Sequence, residues 1–310
     1  MLTRILAIAL NTYREAVRAR LLVGLFVLAL AACVYSLVVA ALSLHNEVRV
    51  VADLGSASLS LFGVIIAVVL GSTSLYRELE LKTVFPILSR PVRRWEYVVG
   101  KYLGAMITVK VFVAIDTAAV LACLALETDQ PQWKVGAVAL LMLLILVTLL
   151  VRAKHSRDYV LVPWSLALAT AMWLVAAPAG DARQMVLASA VLAVAEVSIV
   201  AAVATMFASF SSPVLTATFT TMVFVIGRSS DTLAHLPHKL FGNGIATGGK
   251  VLARIVPNLH VYVPARPLLL GAVPGQSLVA YVAEAVVHAV LYAICLLVVS
   301  ALAFRRRDFA

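Results

Sequence analysis

The sequence predicts an all-α polytopic membrane protein of about eight transmembrane helices, with an amphipathic N-terminal helix and both termini cytoplasmic. Three observations lead there. Hydrophobic residues make up 63% of the chain and charged residues 13%, against about half and a quarter in a soluble domain. Mean hydropathy is +1.03. Several apolar runs reach the roughly 20 residues that a bilayer-spanning helix needs, rather than alternating like barrel strands. The net charge of +10 reads as loops obeying the positive-inside bias, not as a nucleic-acid surface. Cys33, Cys123 and Cys295 all fall in apolar runs without CxxC spacing, so neither a disulfide framework nor a metal site is expected.

Taken in order, residues 1–20 place Leu2, Ile5, Ala9, Tyr13 and Val17 at helical spacing, with Arg4, Asn11, Arg14, Glu15 and Arg18 on other faces. That pattern predicts a helix lying in the membrane interface. It lacks the small-residue cleavage pattern of a signal peptide. Residues 21–75 hold the first two spans, at about 21–44 and 57–75, joined by a short loop with His45, Glu47, Arg49 and Asp53. A polar stretch follows at 76–101, then a third span at 102–126. Residues 127–183 hold two more spans, at 135–151 and 159–177. The first of these is an unbroken apolar run of 17 residues, near the lower limit for crossing.

Residues 184–228 hold the sixth and seventh spans, at 185–210 and 214–226, a tight hairpin over SFSSP. The seventh is short and extends toward Gly227 and Arg228. Residues 229–276 are rich in Gly, Pro and His and do not span; a short amphipathic helix is expected over 250–255, ended by Pro257. The last span is 277–304, and 305–310 is a basic tail. With the N-terminus inside, the inner segments carry sixteen Lys and Arg, while the three short outer loops carry Arg49, Lys134 and Arg183 alone; the long outer loop carries five, counting Arg228, but long segments weigh less in this rule. That asymmetry fixes the predicted orientation and holds only if 135–151 spans.

Gly244–Val251, GIATGGKV, has the spacing of a phosphate-binding loop but Val251 where a magnesium-binding Ser or Thr is needed, and no strand before it. It reads as a Gly-rich turn, so no ATPase is expected in this chain. His235, His238 and His260 lack a supporting carboxylate beyond Asp231 and read as interfacial histidines rather than metal ligands. Ionisable residues inside spans are more informative, because a charge at mid-bilayer costs about 2.5–3.5 kcal/mol on insertion scales. They are Lys110 and Asp116 in the third span, Glu196 in the sixth, and Glu284 and His288 in the eighth. Glu284 and His288 are four apart and share a helix face. Asp116 and Glu196 are the most central. Asp116, Glu196, Glu284 and His288 are therefore candidates either for a substrate pathway or for buried structural pairing. No catalytic constellation with recognisable local spacing is present.

The stretch 76–101, YRELELKTVFPILSRPVRRWEYVVGK, interleaves three Glu, four Arg and two Lys with apolar residues. Extended to YLG, it resembles the cytoplasmic loop of ABC transporter permeases of the type-2 exporter family. That family's pattern is an acidic pair, a Thr, a short apolar helix, a Ser-Arg-Pro turn and a helix opening with Gly-Lys. NTYREAVRARLL, ASFSSPVLTATFTTMVFVIGRS, IVPNLHVY and AFRRRDF are also similar to family segments. The resemblance covers about 1–126 and 186–310, nearest to the permeases of nitrous-oxide-reductase maturation and gliding motility. Six spans are usual there, so 127–183 looks like a two-span insertion.

The resemblance implies a permease subunit in the cell (inner) membrane that is not itself an enzyme. A separate cytoplasmic ATPase would bind ATP and Mg, and a second permease copy, identical or related, would complete the transporter. The stretch would be the coupling helix: Glu78, Leu79, Val84, Phe85 and Leu88 would seat in the ATPase, with Arg90, Arg93 and Arg94 as a charged rim. Two alternatives remain. One is a subunit that transmits ATPase motion to an outer-face partner protein without moving a solute. The other is an intramembrane lipid-processing enzyme using Asp116 or Glu196.

Overall fold

The computed structural model describes residues 2–80, 93–128, 131–153, 157–236, 238–270 and 277–305, and no strand occurs among them. The helices are α1 (Leu2–Val17), α2 (Arg20–Ala41), α3 (Glu47–Glu80), α4 (Arg94–Leu126), α5 (Gln132–Arg152), α6 (Arg157–Val175), α7 (Asp181–Ala208), α8 (Pro213–Arg228), α9 (Ser230–Ala234), α10 (His238–Ile255), α11 (Arg266–Leu269) and α12 (Leu278–Arg305). Seven of them, α2 to α7 and α12, are long and apolar enough to cross a membrane. The expected seventh span, α8, has 16 residues, about 24 Å of helix against a core of roughly 30 Å. It ends at Arg228, as the sequence indicates.

Helix boundaries shift where charged residues cap rather than interrupt. α3 starts at Glu47, so the expected loop around His45 is shorter and Arg49 and Asp53 are helical. Glu47 suits the first turn because it opposes the helix dipole. α4 starts at Arg94, and the Arg93 N–H donates to Glu96 Oε2 at 3.0 Å, satisfying a backbone donor that the helix start would leave open. Residues 94–101 of the polar stretch are thus the first turns of α4. The Gly-rich 244–251 is not a turn but lies inside α10. There the amphipathic stripe outweighs the cost of glycine, about 1 kcal/mol each. Val251, Leu252 and Ile255 on this helix are exposed.

α3, α4 and α7 form the centre. Of their most apolar windows 50%, 67% and 72% is buried, against 6% for α5, 17% for α6 and 22% for both α2 and α12. Small residues let the central helices approach, as bilayer packing requires where apolar surface alone gives no drive to associate. A Cβ on Gly71 of α3 would fall 2.3 Å from the Cβ of Ala204 on α7. The core contains Leu59, Ile66, Val109, Leu192 and Ile199 in its main cluster. A second cluster around Val51, Leu121 and Leu124 takes in Cys33 and Met172.

α1 presents Ile5, Ala9, Thr12, Tyr13 and Ala16 inward. Its stripe meets α4 rather than lipid: Cβ atoms on Gly100 and Gly104 would lie 2.7 Å from Ile8 Cβ and 2.5 Å from the Ala9 carbonyl oxygen. Leu2, placed on the same face by the sequence, is exposed.

Candidate functional site

Two polar constructions lie at different depths of the bundle. At the middle of α7, Glu196 is completely buried and forms an ion pair with Arg228 at the end of α8. Ser60 Oγ of α3 donates to the other carboxylate oxygen at 2.6 Å, and Arg228 Nη1 also reaches Ser60 Oγ at 3.4 Å. A buried carboxylate needs such partners, because desolvating it alone is costly.

Beside this group lies a cavity of about 200 Å³, walled by Asp53, Ser60 and Ser189 on the spans and by Arg228, Tyr262 and Arg266 on the loop side. Arg266 pairs with Asp53 across its mouth. The loop is tied down elsewhere too. The Leu259 N–H donates to the Gly227 carbonyl at 3.0 Å, and Ser230 Oγ lies 2.7 Å from Asn258 Oδ1. Tyr281 Oη donates to the Val261 carbonyl at 2.5 Å. The Tyr262 hydroxyl sits 2.8 Å from His288 Nδ1. Burial, then the negative charge of Glu196, pushes that phenol well above its ordinary pKa, so it stays a neutral donor or acceptor.

At the α1 end, the start of α4 is held from two sides. Tyr97 stacks on Phe304 of α12 at 6.0 Å between centroids, and Arg94 Nη1 reaches the Phe304 carbonyl at 3.4 Å. Lys101, only 4% exposed, lies 3.7 Å from Glu15 of α1. α1 also grips α6. Arg14 and Arg18 contact Asp158 at 3.0 and 2.7 Å, and the Tyr13 hydroxyl donates to the Asp158 carbonyl at 2.9 Å. Burial and the nearby Asp158 charge push the Tyr13 phenol up to about 12.

The sequence-predicted residues divide accordingly. Val84, Phe85, Leu88 and Arg90 lie outside the described residues, as do the side chains of Glu78 and Leu79 in the last turn of α3. Arg93 and Arg94 sit at the start of α4. Glu196 lies beside the cavity, held by Ser60 and Arg228 of its wall. Asp116 does not: it is completely buried between α4 and α2, accepting from Cys33 Sγ at 3.4 Å, with its second oxygen unpartnered. Glu284 and His288 are exposed on α12, and of the two His288 meets Tyr262. Arg228, Ser60, Tyr262, Asp53 and Arg266 are the residues that sequence reading missed. The signal available for Arg228 was its place directly after a short apolar run, where its charge lies within reach of the neighbouring spans. Among the described residues no group of three or more His, Cys, Asp or Glu side chains is placed to hold a metal ion.

Relatives bear on what this arrangement serves. No curated protein matches the chain at a significant level. A family model described as ABC-2 family transporter protein matches residues 6–309, across 127–183 and both polar constructions. The chain therefore belongs to the ABC-2 transporter family, and it is a multi-pass membrane permease subunit of an ABC transporter rather than a catalytic subunit.

Proposed function

We propose that this permease drives export by taking the motion of a separate cytoplasmic ATPase, which carries ATP and Mg, through residues 76–101. The α1 end faces the cytoplasm of the cell (inner) membrane, and two permease copies pair around the pathway. The observation that carries this reading is the mounting of α4. It leaves the coupling stretch at Arg94 and runs unbroken to Leu126, about 50 Å. Its base is clamped by α1 at Gly100 and Gly104 and by Phe304 of α12. A helix held that way moves as a lever, and packed elements pass discrete shifts better than loops do. The Glu196–Arg228 pair, and the Asp53–Arg266 pair beyond it, then close the path on its outer side.

The test is copurification from the native membrane with a tag on this chain. An ATPase subunit is expected to come down with it, and Phe85→Asp combined with Leu88→Asp is expected to release that subunit. Intact association in the double variant sinks the coupling assignment. Stimulation of ATP hydrolysis by a solute separates export from motion delivered to an outer-face partner.

A further inference from the structure

Lys110 is not used by either polar construction. It lies near the middle of α4, is exposed, and has no ion pair among the described residues. An unpaired cation at that depth calls for a counter-charge or a route to water. Lys110 lines a lateral groove of about 330 Å³ between α4, α7 and α12. The groove runs from Lys110 and Val290 past Met106 to Tyr102, Ser198 and Leu297, so eight residues of α4, about 12 Å, separate its deep end from its shallow end. Its walls are otherwise almost wholly apolar. Leu103, Val290 and Ile294 at its rim are exposed, so it opens sideways to the bilayer and not into the cavity at Glu196.

Helical side chains tilt toward the N-terminus of their own helix. For Lys110 that direction is toward Tyr102 and the α1 end. A long amphipathic side chain so placed can lay its methylenes along the groove and carry its ammonium toward the headgroup level. The basic residues Arg14, Arg18, Arg93 and Arg94 gather at the same end, against the one carboxylate Asp158 that pairs with two of them, and this excess enriches anionic lipid in that leaflet.

We propose that this groove is a binding site for one anionic phospholipid of the leaflet on the α1 side. The lipid phosphate enters at the Tyr102 and Leu297 end and is neutralised by the Lys110 ammonium rising toward it, and one acyl chain runs inward past Met106 to Val290. The bilayer supplies the occupant, the apolar walls match its chain, and the one charge in the groove matches its head. Basic pockets between transmembrane helices bind anionic headgroups by the same pairing.

The experiment is native mass spectrometry of the full-length protein, delipidated in detergent and titrated with phosphatidylglycerol or phosphatidylcholine. The wild type is expected to bind the first of these about fivefold more tightly. Lys110→Gln is expected to abolish the preference, and Lys110→Arg to keep it. Val290→Trp, which fills the groove from its rim, is expected to remove the tight lipid while the Lys110 charge remains. Inorganic phosphate is not expected to compete, because it gains nothing from the apolar walls. The proposal is overturned if wild type shows no preference, if Lys110→Gln retains it, if Lys110→Arg loses it, if Val290→Trp leaves the tight lipid bound, or if phosphate alone displaces the lipid. None of these outcomes depends on whether an ATPase copurifies, so this site and the coupling reading fail separately.

Discussion

α5 and α7 are equally good membrane helices by hydropathy, with mean values of 2.7 and 2.4 over their most apolar windows, yet 6% of one window and 72% of the other is buried. What separates them is side-chain size. α7 reads ASAVLAVAEVSIVAAVA and α5 reads AVALLMLLILVTLLV. In lipid, a leucine gains little by leaving the acyl chains for another helix, so association follows close backbone approach and polar pairing. α7 supplies both, through its alanines and Glu196. α5 supplies neither, and Val135 is its one buried residue. Hydropathy locates spans, whereas small and ionisable residues within them locate the centre of the bundle.

The largest test of that contrast is at Glu196. Arg228→Leu leaves a buried carboxylate without its cation, and is expected to cost about 3 kcal/mol. That is the low end for a buried pair, because Arg228 is 31% exposed. Adding Glu196→Leu is expected to restore most of the loss, since removing both charges removes the desolvation penalty too. Unfolding of the purified protein in one fixed detergent measures both variants. A double variant no more stable than Arg228→Leu alone shows that the pair does more than neutralise itself.

The second test is at Gly104. A Cβ there would meet the Ala9 carbonyl oxygen and Thr12 Cβ, both at 2.5 Å. Backbone cannot yield as a side chain tip can, so Gly104→Ala is expected to push α1 off α4, at about 1–3 kcal/mol. If α4 works as a lever, ATP hydrolysis by the assembled transporter should also lose its response to substrate. Unchanged stability and unchanged coupling in Gly104→Ala argue that α1 rides loosely on α4.

Much of this was legible beforehand, for identifiable reasons. Long apolar runs placed seven of the eight expected spans, because bilayer thickness acts on local composition. Glu196 and Asp116 stood out because each is a charge inside an apolar run. Their partners did not. Ser60 lies 136 positions from Glu196 and Asp158 lies 144 from Arg14, and no local pattern encodes contacts that depend on how helices are arranged. Gly100 and Gly104 were read as part of a helix opening, although their spacing of four is itself a packing signal. The Gly-rich 244–251 misled in the other direction: glycine frequency argued for a turn, and the apolar stripe of α10 prevailed.

The smallest expected effect is also the cleanest control. Gly136 lies on α5, and nothing sits within 4 Å of where its Cβ would be. Gly136→Ala is chemically the same substitution as Gly104→Ala, made in another span. With no neighbour to strike, the added methyl only narrows the backbone freedom lost on folding, so it is expected to stabilise by about 0.5–1 kcal/mol. The two variants should therefore shift unfolding in opposite directions under identical conditions, with coupling intact in Gly136→Ala. A destabilised Gly136→Ala means that α5 is packed against something in the working assembly. Since α5 turns Leu140, Leu141, Leu144 and Val151 outward, that outcome makes the 132–175 pair a docking surface rather than a lipid-facing edge.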